Sequence, residues 1–300
     1  MKINSNIIIF TIFCIILSLY YLLYILNNET PNHIWLYWEN VPGKTKSNLI
    51  DLCHDTIYRH CKNSFHIHLL DENTVYDYLP KLRRDLNEIL SIPHKSDYIR
   101  YCLLYKYGGI WLDSDTIILK DLKPLLNKII SYGFIASGPN YISTDNPMQY
   151  GLLMNETINN RPNIGTIGCI KNHPLLKILI DNCDKMFENH SKLNYLDISY
   201  YNLWDALDYL SLNGLSYYHI PSECNYHNND NKYYTNNMLY STQDLDLFCM
   251  KKAYFIMFYN TRSSKKNVFR IPENFKNKPK NEILKSPYLI SKILKYSLTN

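Results

Sequence analysis

The chain has 300 residues, in which 32 Lys and Arg stand against 27 Asp and Glu, giving a formal net charge of +5. This weak charge excludes a strongly basic nucleic-acid-binding protein and a highly charged disordered chain. Nine Gly and 13 Pro exclude collagen-like and linker-dominated architectures. Eight Cys are too few for a disulfide scaffold. A globular domain with a substantial core remains, because 46% of the residues are hydrophobic.

The first feature along the chain is an uncharged hydrophobic run from Ile7 to Leu26. As a helix, this run would be about 30 Å long, which matches the hydrocarbon core of a bilayer. A single Lys before the run favours a type II membrane protein, with residues 1–6 cytoplasmic and residues 27–300 in a lumen or outside the cell. A cleaved signal peptide is the alternative, but its hydrophobic region is usually shorter and ends in small residues. We therefore expect a single-pass protein of an ER- or Golgi-type membrane, if the source is eukaryotic or viral, and otherwise of the cell membrane.

Beyond residue 31, predicted strands alternate with predicted helices. The strand predictions rest on aromatic and β-branched content, and the helix predictions rest on apolar residues at a helical period. Strands are predicted at 32–38, 65–70, 110–112, 116–119, 215–220 and 253–258, and helices at 47–61, 71–90 with an interruption at Pro80, 96–107, 174–187 and 195–212. This alternation predicts an α/β fold with a largely parallel, Rossmann-like sheet. We assign one domain to residues 31–260 and a Lys-rich segment to residues 261–300.

One predicted helix carries two charged residues three positions apart, Asp97 and Arg100, which share a face and can interact. Ser96 is a plausible N-cap for this helix, and Gly108-Gly109 ends it and allows a tight reversal. The reversal would bring the charged face of the helix close to the next strand. An ordinary exposed ion pair is the alternative interpretation of Asp97 and Arg100.

The next strand is predicted to end at Asp113-Ser114-Asp115. Open α/β sheets bind ligands outside the carboxyl ends of their strands. Two carboxylates separated by one small residue offer hard oxygen ligands for Mg²⁺ or Mn²⁺, with water and phosphate oxygens completing the shell. Such a metal would neutralise the diphosphate that leaves a nucleotide sugar. The segment Asp244-Leu245-Asp246 has the same spacing but follows no buried strand, so we interpret it as a solvated turn or helix start.

The stretch from Ser96 to Asp115, SDYIRYCLLYKYGGIWLDSD, resembles the DXD-containing sugar-binding region of glycosyltransferases such as the initiating mannosyltransferases and the large clostridial toxins. It resembles the bacterial capsular polysaccharide synthesis proteins most closely, which also share the Ile34–Trp38 strand and the Leu69-Leu70-Asp71 strand end. The resemblance covers roughly residues 33–125. It implies a GT-A fold that binds a nucleotide sugar with a divalent metal.

The resemblance also implies roles for individual residues. Trp38 would pack on the nucleotide base, although core packing is the alternative for Trp35, Trp38 and Trp111. Asp97 and Arg100 would hold hydroxyl groups of the ribose or donor sugar. Trp111 would take an aromatic position near the donor, and Lys95 is a looser candidate for a phosphate contact. Asp113 would contact the ribose or sugar and share the metal, and Asp115 would bind the metal and the diphosphate.

The C-terminal part departs from the family pattern. Relatives often carry a His or a Ser-Trp element that closes on the diphosphate, but residues 257–264 contain neither His nor Trp. Asn260, Arg262 or Ser263 could serve instead. Two histidines, His219 and His227, are weaker alternatives.

These observations together predict a membrane-anchored, metal-dependent glycosyltransferase. We expect it to transfer a hexose-like sugar from a UDP- or GDP-sugar to a glycan, glycolipid or protein acceptor, with retention of configuration as in the families it resembles and with no nucleic-acid partner. One alternative is a catalytically silent GT-A-fold protein that binds glycans or acts as a membrane scaffold. Another is a metal-dependent phosphohydrolase, which would need further Asp or His ligands near Asp113 that the sequence does not supply.

Overall fold

The computed structural model describes residues 31–43, 45–137, 148–149, 162, 164–188, 193–194, 196–212, 214, 216–220, 239–242, 244–245, 247–257 and 273–300. The predicted anchor at 7–26 and the first part of the Lys-rich segment lie outside these residues. Among the residues described, no helix is both long and apolar enough to cross a membrane.

Among the described residues, seven strands form the central sheet: β1 (His33–Tyr37), β2 (His66–Leu70), β3 (Gly109–Leu112), β5 (Phe134–Ser137), β6 (Met148–Gln149), β7 (Thr166–Cys169) and β8 (Ser216–Ile220). Their order across the sheet is β2-β1-β3-β7-β5-β8-β6. β1 is parallel to β2 and β3, and β5 is parallel to β8, so five strands point the same way. β7 runs antiparallel to β3 and β5, and β6 runs antiparallel to β8. The mostly parallel sheet was predicted correctly, whereas the antiparallel β7 was not.

Two further strands, β4 (Thr116–Ile118) and β9 (Phe255–Met257), pair antiparallel beside the main sheet. The helices are α1 (Asn48–Cys61), α2 (Val75–Tyr78), α3 (Leu86–Ile89), α4 (Ile92–Tyr107), α5 (Lys123–Tyr132), α6 (Pro174–Glu188), α7 (Asn202–Ser211), α8 (Leu247–Lys252), α9 (Glu273–Lys276), α10 (Lys280–Lys285) and α11 (Leu289–Thr299), with a π-helical segment (Asp197–Tyr201) before α7.

Two helix predictions were wrong in extent. α4 begins at Ile92 and not at the predicted Ser96, because Pro93 fits in the first turn, where a backbone N–H has no partner within the helix. The predicted helix over 71–90 forms only the two short helices α2 and α3. The apolar residues of this segment still pack in the core, so their spacing reflects burial and not one continuous helix.

Side chains of β1 and β3 alternate between the two faces of the sheet, as expected for extended strands. Trp35 and Trp111 are buried in the core on the face covered by α4, α6 and α7, and a donor contact of Trp111 stays a prediction. Ile34 and Ile110 are buried on the opposite face, with α1 and α5. The central strands are therefore covered on both sides, and their free surface is at the strand ends.

The Gly108-Gly109 pair connects α4 to β3 in the predicted tight reversal. Both residues have left-handed φ angles, 70° and 104°. A side chain at Gly109 would come within 2.5 Å of the carbonyl oxygen of His33 on β1. Glycine is needed here both for the backbone angle and for the close approach of β1. The reversal fixes α4 directly over β3, so that residues near the start of α4 lie beside the carboxyl end of that strand.

Candidate functional site

The candidate site begins where β3 ends, on the turn formed by Asp113, Ser114 and Asp115. The Thr116 N–H donates to the Asp113 carbonyl at 3.0 Å, which closes the turn before β4 starts. The Asp113 N–H donates to the Gly165 carbonyl at 2.9 Å, which ties the turn to the segment that enters β7. The strand end therefore presents two carboxylates at the carboxyl edge of the sheet, as the sequence predicted.

Arg100 joins this turn to α4. Its Nη2 lies 2.8 Å from Asp113 Oδ1 and 3.1 Å from Asp97 Oδ1. Its Nη1 donates to the Ile164 carbonyl at 2.6 Å. Arg100 is 2% exposed and Asp97 is 8% exposed, so the alternative of an ordinary exposed ion pair is wrong. The helical spacing was informative, but only the packing of α4 over β3 makes these residues a buried charged cluster.

Trp111 fixes the orientation of Asp113. Its indole N–H donates to Asp113 Oδ1 at 2.8 Å, and the Arg100 guanidinium carbon lies 4.8 Å from the centre of its ring. Asp113 Oδ1 thus accepts from both Trp111 and Arg100, while about a third of the Asp113 side chain remains exposed. The second oxygen, Oδ2, is consequently the one placed to meet a ligand. The family resemblance implied a position near the donor sugar for Trp111, but it did not predict this hydrogen bond.

Burial raises the pKa of Asp97 to about 7, with Arg100 acting to lower it and Asp113 acting to raise it. One guanidinium charge serves two carboxylates, and the more buried carboxylate is the harder one to ionise. Near neutral pH, Asp97 therefore exchanges its proton readily. A carboxyl group in that state can either donate a hydrogen bond to a ligand hydroxyl group or accept one from it.

Asp115 lies on the same turn and is partly exposed. Burial raises the pKa of the Cys53 thiol on α1, and the charge of Asp115 adds to this increase. The charge of Asp115 thus acts on a residue of α1, whereas Asp113 is held by Arg100 of α4. Within the described part of the chain, no three His, Cys, Asp or Glu side chains gather to hold a metal. An ion of the Mg²⁺ type fits this donor set, because it is commonly held by one or two carboxylates together with substrate phosphates.

A second buried network lies beside the turn, and the sequence did not predict it. Lys95 Nζ lies 2.5 Å from Glu39 Oε2, and the Tyr37 hydroxyl donates to the same oxygen at 3.0 Å. The Ser114 hydroxyl donates to the Tyr37 carbonyl at 3.1 Å, which connects the network to the acidic turn. Lys95, the looser phosphate candidate, is 5% exposed and paired with Glu39. The position of Glu39 directly after the Trp38 strand end was the only sequence signal for this network.

The other predicted residues lie in different places. Trp38 is partly buried against the cluster formed by α1, β4 and the C-terminal helices, and its role at the base stays a prediction. His219 is buried in β8, three strands away from β3, or roughly 14 Å across the sheet. The structure does not bring it to the site. Residues His227, Asn260, Arg262 and Ser263 lie outside the described residues.

Gly165 is a further site residue that sequence reasoning missed. A methyl group in its place would lie 3.0 Å from Asp113 Oδ2 and would overlap with the side chain of Met257. Met257 ends β9, where it pairs with Thr116 at the start of β4. Met257 itself therefore lies beside the acidic turn.

The fold and site define an α/β protein whose acidic turn lies at the carboxyl edge of a mostly parallel sheet, the location where open α/β sheets bind ligands. The chain belongs to the capsular polysaccharide synthesis protein family, whose model matches residues 16–270. This match confirms the predicted resemblance to the capsular polysaccharide synthesis proteins.

Solved structures of glycosyltransferases show a partial likeness to this fold. The PaToxG glycosyltransferase has 14% identity and a TM-score of 0.38, with 61% of this chain and 73% of that chain covered. The apo-form glycosyltransferase GlyE of Streptococcus pneumoniae TIGR4 has 13% identity and a TM-score of 0.42, covering 90% of this chain and 60% of that one. The galactosyltransferase LgtC, solved with donor and acceptor sugar analogues, has 13% identity and a TM-score of 0.40, covering 75% and 86%. No curated protein matches the chain in sequence.

Proposed function

We propose that the chain is a membrane-anchored glycosyltransferase that transfers a hexose-like sugar from a nucleotide-diphosphate sugar to a glycan, glycolipid or protein acceptor. Membership of the capsular polysaccharide synthesis family supports a role in building glycans. The observation that carries the proposal is the buried Asp97–Arg100–Asp113 cluster, which opens at the carboxyl edge of β3 next to Asp115. If the cluster only stabilised the fold, the partly exposed Asp115 carboxylate beside it would add nothing to that stability.

The cluster suits the recognition of sugar hydroxyl groups. Arg100 is held by three acceptors, Asp97, Asp113 and the Ile164 carbonyl, so its orientation is fixed before a ligand arrives. Asp97 can donate or accept near neutral pH, because its pKa is raised to about 7. Fixed, partly desolvated groups of this kind bind a polyhydroxylated ligand in one orientation, which places the anomeric carbon reproducibly for reaction.

The acidic turn suits a divalent cation and a diphosphate. Asp115 and Asp113 Oδ2 would hold Mn²⁺ or Mg²⁺, and the bound ion would neutralise the charge of the departing nucleoside diphosphate. Trp111 and Arg100 keep Asp113 Oδ1 occupied, so Asp113 would offer only its second oxygen. Trp38, which directly follows the neighbouring strand β1, would contact the base of a UDP or GDP donor.

Two finer features follow from the sequence. The families that the motif resembles retain the anomeric configuration, and we propose retention here. The run from Ile7 to Leu26 would anchor the chain as a type II protein, with the catalytic domain in a lumen or outside the cell. An anomer-resolved NMR spectrum of the product tests the first feature, and protease protection in intact vesicles tests the second.

The central experiment compares two carboxylate variants in the full-length protein. We expect Asp115→Asn to abolish Mn²⁺-dependent hydrolysis of donor sugars and Mn²⁺-dependent stabilisation by UDP or GDP. A ligand at 100 times its dissociation constant stabilises a protein by about 2.7 kcal/mol, which a thermal shift detects easily. Asp244→Asn, in the exposed segment of equal spacing, is the matched control and should behave like the wild type.

Each possible result has a clear meaning. Full turnover by Asp115→Asn would refute the assignment of the acidic turn. A wild-type protein that binds neither UDP nor GDP, with or without Mn²⁺, would support the catalytically silent scaffold. Release of inorganic phosphate from simple phosphate esters would instead support a phosphohydrolase.

A further inference from the structure

The edge of the sheet opposite the candidate site carries a cavity of about 500 Å³. We call it the basal cavity; it lies between the end of α4, the start of the segment after β7 and one face of α6. Its walls combine apolar groups and tyrosines with two lysines, and they include Leu79, Tyr105, Lys106, Tyr107, Lys171 and Ile180. Among the described residues that line it, none is acidic. The cavity is therefore suited to an anionic ligand that also has an apolar part.

One of the lysines is held in position by the fold. Lys106 Nζ donates to the Tyr78 carbonyl at 2.6 Å and lies 4.8 Å from the centre of the Tyr107 ring. Lys171 is exposed on the opposite wall, in the segment that follows β7. On the neighbouring helix α6, Lys177 pairs with Asp181, while Asp184 accepts from the Tyr98 hydroxyl and acts on Cys102 in the cavity wall. The basal cavity thus presents two positive charges that its own walls do not neutralise.

The place where the chain enters the domain indicates which way the basal cavity faces. Pro31 is buried at the amino edge of the sheet, where a side chain at Gly108 would meet both the Pro31 ring, at 3.0 Å, and the Lys171 backbone nitrogen, at 2.8 Å. Pro31 follows the hydrophobic run that ends at Leu26 by only five residues, which can span at most about 18 Å. If the run crosses a bilayer, the amino edge and the basal cavity face its surface.

We propose that the basal cavity binds the phosphate headgroup of an anionic membrane phospholipid. The two lysines would contact the phosphate, the tyrosines would lie at the interface, and the apolar wall would receive the first part of the lipid tail. Lysines strengthen attachment wherever the leaflet that they face contains anionic lipid, and tyrosines are enriched at the membrane interface. The candidate site lies at the far end of β3, about 13 Å away along the strand, and would face away from the bilayer.

This proposal uses the membrane anchor of the proposed function but none of its chemistry. Native mass spectrometry can test it with full-length protein released from micelles that contain equal amounts of phosphatidylglycerol and phosphatidylcholine. We expect the wild type to retain phosphatidylglycerol preferentially. The double variant Lys106→Ala/Lys171→Ala should lose roughly 20-fold or more of this retention. Lys285→Ala/Lys295→Ala removes two exposed lysines elsewhere and should retain lipid like the wild type.

Equal retention by the lysine variant and the wild type would overturn the proposal, as would equal retention of the two lipids by the wild type. Displacement of the lipid by millimolar inorganic phosphate alone would show a site for free phosphate and not for a membrane lipid. Lys171→Ala alone is the second variant, because the Lys106 side chain also bonds to Tyr78. Asp115→Asn should keep its lipid, and the lysine variant should keep Mn²⁺-dependent donor hydrolysis. Failure of either proposal can therefore be distinguished from failure of the other.

Discussion

Asp113 and Asp244 each begin an Asp-x-Asp segment, but the two side chains have very different surroundings. Asp113 accepts from the buried Arg100 at 2.8 Å and from Trp111 at the edge of the main sheet. Asp244 is fully exposed and lies 3.0 Å from Lys292 on α11. The two ion pairs have similar lengths, so distance does not distinguish them. The two pairs differ in their access to water, because the Arg100 side chain is buried and the Asp244 side chain is fully exposed.

The difference explains why the same spacing means different chemistry. In water, an ion pair such as Asp244–Lys292 contributes about 0–1 kcal/mol, because solvent and salt screen it. Beside a buried guanidinium, a carboxylate interacts strongly with neighbouring charges and with any ligand that enters. The strand before Asp113 and the helix above it create these conditions, and the segment around Asp244 has neither.

The largest expected difference between the two regions is in stability. Arg100→Met would leave Asp97 and Asp113 without their shared buried cation, and we expect a loss of about 3–5 kcal/mol in the free energy of unfolding. Lys292→Met should cost less than about 1 kcal/mol. Urea unfolding of both variants at pH 7 measures this. Equal losses would mean that the Asp97–Arg100–Asp113 cluster is as well solvated as the exposed pair.

The pH dependence of stability sharpens the comparison. Asp97 has a pKa of about 7 in the fold, whereas an unfolded Asp has one near 3.9. The native state therefore binds more protons between pH 4 and pH 7, and wild-type stability falls as the pH rises through this window. Asp97→Asn removes that contribution, which is on the order of 3–4 kcal/mol.

Urea titrations at several pH values, in metal-free buffer, test this expectation. Asp244→Asn should keep the wild-type slope, because Asp244 is fully exposed. A wild-type slope in Asp97→Asn would contradict the raised pKa of Asp97 and, with it, the proposed ability of this carboxyl group to donate to a sugar hydroxyl.

A smaller effect is expected from the glycine that lies against the acidic turn. Gly165→Ala would push on Asp113 Oδ2 and on Met257, and we expect donor affinity to fall about tenfold, or about 1.4 kcal/mol. Asp244→Asn is the control, because the Asp244 side chain is fully exposed. Isothermal titration with UDP and Mn²⁺ measures both. Unchanged affinity in Gly165→Ala would show that Asp113 Oδ2 does not contact the ligand.

Much of the sheet and one half of the site could be predicted from local patterns. The strand preceding Asp113, the glycine pair that reverses the chain and the shared face of Asp97 and Arg100 all depend on residues within twenty positions. The buried cluster itself could not be predicted, because its depth depends on how α4 packs over β3. The same holds for Gly165, which reaches Asp113 only because β7 inserts antiparallel beside β3.

The sequence by itself determined which groups are available: a hydrophobic run, alternating strands and helices, and a helix–glycine–strand–aspartate order that identified the family. These features are local, since backbone preference and residue spacing act over a few positions. Only the tertiary structure decided how those groups are charged and which partners they have. Arg100 and Asp97 lost contact with water, Lys95 was paired with Glu39 from another strand end, and Lys106 and Lys171 came to one cavity. Burial and long-range pairing set the electrostatic energy of each group, and neither can be read from neighbouring residues.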